Sequence, residues 1–118
     1  MEKAGPESGN YNKFKILDYL FNSPNDYKTP LQISEGTGVS ISSVYRRLLN
    51  MERFLIKKYE IEEGKKEARY RIKKSVADLE SMSRKSGGIT AFSILLNDEG
   101  YKEIFGEIRD EDPLDQTG

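Results

Sequence analysis

Apolar positions recur at helical spacing from Asn12 onward and switch to a period of two after Phe54. Phe14, Leu17, Leu20 and Phe21, with Ile16 and Tyr19 alongside, give the spacing of an amphipathic helix, and Asn22-Ser23-Pro24-Asn25-Asp26 stops it. Thr29 before Pro30 predicts a second, short helix over residues 30–36. The threonine can cap free amides, and proline suits the first helical position. Leu31 and Ile33 are its expected core residues, and Gly36-Thr37-Gly38 its end. Ser40 is expected to cap a third helix over residues 41–53. Turning about 100° per residue from Val44 places Leu48, Met51 and Ile41 within about 60° of it, which defines the core face. Ser42, Arg46 and Arg53 fall near the opposite side, with Tyr45, Ser43 and Asn50 on the flanks. Leu49 also lies outside, at about 140° from Val44.

Beyond Phe54, residues 55–61 and 68–72 read as two strands, and Glu62-Glu63-Gly64-Lys65-Lys66 between them supplies the glycine a hairpin needs. Ser75 with Asp78 three residues later predicts a helix over 76–84, closed by Gly87-Gly88. The longest apolar run, Ile89 to Leu96, is expected to form a strand over 90–96. Asn97-Asp98-Glu99 then predicts a capped helix over 98–108, with Tyr101, Ile104, Phe105 and Ile108 on one face. Residues 1–11 are expected to be a disordered leader, and the acidic residues 109–118 a disordered tail.

With 118 residues the chain fits one small domain, and its apolar runs fall short of the roughly 18 residues a membrane span needs. Met1 to Pro6 has no apolar stretch, so no secretory signal is expected, and a cytoplasmic location follows. Cys and His are both absent, which excludes disulfides, thiolate metal sites and the usual general base. No cofactor or metal is expected, and a binding module is favoured over an enzyme. The formal net charge of −1 hides an asymmetry: residues 11–74 carry +6 and residues 75–118 carry −6. That pattern suggests a basic binding surface joined to an acidic end.

The order helix, proline-started helix, glycine turn, serine-capped helix, basic hairpin resembles the winged helix-turn-helix family. The resemblance is carried by VSISSVYRRLLNMERFLIKKYEIEEGKKEARYRI, residues 39–72, which is similar to the recognition helix and wing of ArsR/MarR-like regulators, especially archaeal ones. LLNDEGYKEIF, residues 95–105, looks like the strand-to-helix exit that follows a wing in this family. The resemblance implies an α+β fold, with a three-helix core and hairpin wing over residues 12–74 and a C-terminal extension over 75–108. It implies a sequence-specific regulator of transcription that binds double-stranded DNA, with residues 41–53 in the major groove and wing 55–73 on the backbone or minor groove.

A major groove admits one helix, and arginine can reach two acceptors on guanine at once. Ser42, Tyr45 and Arg46 are therefore expected at base edges. Ser43, Arg47, Asn50, Lys65 and Lys66 are expected along the sugar-phosphate backbone, and Ser40 and Arg69 complete the expected DNA-binding set. Pairing two such modules multiplies discrimination, so a homodimer is expected, held by Tyr101, Ile104, Phe105 and Ile108. The alternative is a winged-helix module that binds another protein. It calls for an apolar or acidic outer face on helix 41–53, and from the sequence only Leu49 leans that way.

Overall fold

In the computed structural model, which describes residues 5–106, local signals place the first three helices. Helix α1 spans Gly5–Phe21, α2 Pro30–Thr37 and α3 Ile41–Asn50. α1 starts earlier than expected: residues 5–11, read from the sequence as leader, are helical. Thr29 caps α2 reciprocally with Gln32. Its Oγ1 accepts from the Gln32 N–H at 3.1 Å, and its own N–H donates to Gln32 Oε1 at 2.9 Å. Ile33 is buried, but Leu31 is 57% exposed, contrary to expectation, because the short helix turns only its Ile33 side inward.

α3 stops at Asn50, short of the expected 53: Met51 is its cap, and Glu52–Phe54 form a separate 3-10 turn. β1 (Leu55–Glu62) and β2 (Lys65–Ile72) then pair antiparallel, from Leu55 opposite Ile72 to Glu62 opposite Lys65. Glu63 and Gly64 link them with φ of 53° and 77°. A two-residue hairpin loop with positive φ at both positions matches the right-handed twist of its strands, and glycine adopts this geometry without strain. Lys28 adds a single bridge to β2, its N–H and C=O each bonding Tyr70 at 2.8 Å.

The C-terminal third departs most from expectation. α4 covers Lys74–Ser86, so Ser75 lies inside the helix and Lys73, not a serine, takes the cap position. Residues 90–96 are not a strand: α5 spans Ala91–Leu95. Ala91, Phe92 and Leu95 are buried and lie on one helical face, whereas Ile94 points out at 38% exposed. As a helix the segment sets Phe92 against Phe14 and Phe21 of α1 and gives the Phe92 N–H to Glu80 of α4. α6 covers Asp98–Phe105, with Asn97 capping it through the Gly100 N–H at 2.6 Å, as expected. Ile108 and residues 109–118 lie outside the described residues.

The result is an α+β fold, six helices and one two-stranded hairpin among the described residues, an arrangement compatible with a winged helix. One apolar cluster joins both parts of the chain: Ile16, Leu17, Leu20, Ile33, Val44, Leu48, Met51 and Phe54 meet Ile72, Val76, Phe92 and Leu95. The segment after the hairpin thus completes the core of its own chain.

Close approach sets the angle between α5 and α6. A Cβ on Gly100 would overlap the Ile94 carbonyl and side chain. Gly100→Ala should force the two helices apart and cost about 1–3 kcal/mol, read by urea unfolding followed by circular dichroism. Unchanged stability would show that this junction is loose.

Candidate nucleic-acid interface

α3 is fixed from below and capped at its start. Val44, Leu48 and Met51 are buried, and Ser40 Oγ accepts from the Ser43 N–H at 3.4 Å. A helix anchored along one side must present the other. Ser42, Tyr45, Arg46 and Asn50 are exposed, and Ser43 and Arg47 are half-buried on the flanks. The face expected at base edges is therefore solvent-facing as a unit.

That face is less polar than the sequence suggests. Ile41, placed on the core side by the helical wheel, is 39% exposed; Tyr45 is 56% and Leu49 67% exposed. At four-residue spacing the three form an apolar stripe along the outside of α3. The signal was present in the spacing. Ile41 lies at the margin of the core face, at about 60° from Val44, and only the structure shows it exposed.

The inner flank of α3 also gathers positive charge, to which Lys13, not among the expected contact residues, adds. Lys13 of α1 has its pKa lowered, first by burial and then by the nearby Arg47 and Arg53. The Nε atoms of Arg47 and Arg53 are buried without a hydrogen-bond partner. Arg53 pairs with Asp98 at 2.8 Å and lies over the Tyr101 ring at 4.6 Å. Beside these groups a cavity of about 590 Å³ opens at the C-terminal end of α3, lined in part by Lys13, Asn50 and Arg53.

The hairpin sorts its charges by face, because side chains alternate along a strand. One face carries Glu60, Glu62, Glu67 and Arg69. Arg69 sits among the three carboxylates at 3.4, 3.1 and 3.6 Å, so its charge is already met within the hairpin. Lys58 bonds Glu60 at 2.9 Å and holds that carboxyl below the usual range. Lys65 lies on this same face opposite Glu62, whereas Lys66 lies on the other, opposite Ile61. Lys65 and Lys66, expected to act together, therefore point to opposite sides of the wing.

The other face holds Lys57, Tyr59, Ile61 and Lys66 beyond the buried Leu55, Tyr70 and Ile72. Lys57 Nζ lies 5.1 Å and Lys66 Nζ 4.6 Å from the Tyr59 ring centre. The hydrogen bond from Lys57, then its charge, lowers the Tyr59 pKa, and the same bond raises that of Lys57. Lys57 and Tyr59 were not among the expected contact residues.

Comparison with family models, with curated proteins and with solved structures finds no match for this chain. Function must therefore be argued from the geometry. Among the described residues no helix is long and apolar enough to cross a membrane, and no three acidic side chains cluster as metal ligands would.

Of the residues expected at a dimer surface, Tyr101 is half-buried against its own chain, with its ring 5.8 Å from that of Phe54. Ile104 and Phe105 are each 37% exposed and Ile94 38%, so the last two helices keep some apolar surface outside the core.

Proposed function

We propose that this chain is a winged-helix regulator of transcription, acting in the cytoplasm by occupying specific double-stranded DNA, without catalysis or cofactor. The observation that carries the reading is the order and exposure of two adjacent elements. A core-anchored helix offers Ser42, Tyr45, Arg46 and Asn50 outward, and a lysine-bearing hairpin follows it directly. A helix of this size fits the major groove, with Arg46 one turn in, where a guanidinium can bridge two acceptors on guanine. Lys65 and Lys66 near the hairpin turn contact phosphates, which position the protein without reading sequence. Ile94, Ile104 and Phe105 supply the contact between two copies, which sedimentation at micromolar concentration would detect.

Binding to an operator selected from random duplexes tests this reading. Arg46→Ala should weaken the selected site by about 1–3 kcal/mol and relax preference at one position. Replacing Lys65 and Lys66 together should weaken all sequences alike and reduce the salt slope by about two. No duplex binding at low salt, or an Arg46→Ala variant that binds its operator as tightly as the parent, would refute it.

A second reading rests on the stripe of Ile41, Tyr45 and Leu49. An exposed apolar row on the outside of α3 also suits a protein partner. Leu49→Lys separates the two readings: it should abolish a protein contact and, by adding a cation, leave or raise affinity for DNA.

A further inference from the structure

The outer part of the hairpin presents an aromatic ring and an aliphatic side chain where an exposed wing would normally be polar. Tyr59 is 54% and Ile61 75% exposed, and both lie on the face that continues from the buried Leu55 and Ile72. All three glutamates within the strands lie on the opposite face, so Lys57 and Lys66 stand on this one without a carboxylate among its strand positions. Lys66 lies over the Tyr59 ring, and Lys57 lies by the same ring, hydrogen-bonded to the tyrosine and within reach of the Glu52 charge. The residue directly across from Tyr59 is Ala68, whose single methyl leaves the flank of the ring open.

Exposed lysines on an aromatic ring are held weakly, because an ammonium over a ring in water gains only about 0.5–1 kcal/mol. A phosphate competes well for each of them. A ring bared in that way is a flat apolar platform of the size of a base, and every base has a face that can stack on it. A paired base inside a duplex keeps its faces against its neighbours, so the platform selects a base already out of the stack.

We propose that this face of the hairpin holds a single-stranded DNA segment that continues from the duplex, with one unstacked base on Tyr59. Lys57 and Lys66 take the phosphates on either side of that nucleotide, and Ile61 covers the edge of the base or its sugar. The proposal rests on the DNA reading above for its ligand, and it extends that reading from plain duplex to duplex with a single-stranded flank.

Fluorescence anisotropy on the full chain tests it with three labelled probes: a blunt duplex, the same duplex with a short oligothymidine overhang, and the oligothymidine alone. The overhang should tighten binding roughly tenfold over the blunt duplex, as one stacked base supplies. Tyr59→Ala should remove that gain and leave blunt-duplex affinity within about twofold, and Tyr59→Phe should keep it, since stacking needs the ring and not the hydroxyl. Tyr59 is exposed, so both variants should fold, which circular dichroism checks. An overhang that adds nothing, or a Tyr59→Ala variant that weakens blunt and overhung duplexes equally, would overturn the platform. Binding of oligothymidine that depends on Tyr59, with no binding of blunt duplex, would support the platform and refute the duplex reading.

Discussion

Phe92→Ala should destabilise the protein by about 3–5 kcal/mol, the largest loss expected from any single truncation in the core. Phe92 is fully buried. Its ring meets Phe14 at 6.0 Å and Phe21 at 5.8 Å, both edge-on, so two aromatic contacts from α1 go with it. Arg84 also lies over the ring, at 5.9 Å. Phe92 comes from the segment after the hairpin, and its contacts are with the first helix. The expected loss therefore measures how far the chain depends on its C-terminal third. Urea unfolding followed by circular dichroism is the measurement, because the chain has no Trp to report by fluorescence. A loss below about 1 kcal/mol would mean that α5 adds little and that the first three helices with the hairpin are stable alone.

Glu80→Ala should cost about 2–4 kcal/mol, a large effect for a single charged side chain. Glu80 is fully buried. Its Oε1 accepts from the Phe92 N–H at 3.0 Å, which supplies the side-chain cap that Thr90 does not give α5. Its Oε2 accepts from Arg84 Nε at 2.6 Å, and Arg84 in turn donates to Asp18 Oδ1 at 2.5 Å. The chain Asp18–Arg84–Glu80–Phe92 ties α1, α4 and α5 together, and the two carboxylates raise the pKa of Arg84. Alanine would leave the Phe92 amide buried without an acceptor. Glu80→Gln keeps an oxygen for that amide but turns an NH2 group toward Arg84, so it loses both the charge and the hydrogen bond there; with the amide still capped it should cost less than Glu80→Ala in the same unfolding measurement. Equal losses in the two variants would assign the effect to the Arg84 pair rather than to the cap.

The sequence by itself determined the elements whose signals are local. Thr29-Pro30 and Ser40 start α2 and α3 because a side-chain oxygen beside free amides acts within one turn. Gly64 turns the hairpin because two residues must take positive φ there. Val44, Leu48 and Met51 were legible as the inner face of α3, Ser42 and Arg46 as its outer side and Tyr45 and Asn50 as its flanks, because helical periodicity fixes relative direction. The tertiary structure decided the rest. The run Ile89 to Leu96 reads equally as strand or helix by composition, and it becomes α5, with Phe92 packed against α1 and its N–H on Glu80 of α4. The buried role of Glu80 depends on an amide 12 residues away. The charges of the hairpin look alike along the chain, yet strand register gives Arg69 three carboxylates and leaves Lys57 and Lys66 on Tyr59. Local rules act through neighbours in sequence, whereas burial and charge pairing depend on which surfaces the folded chain brings together.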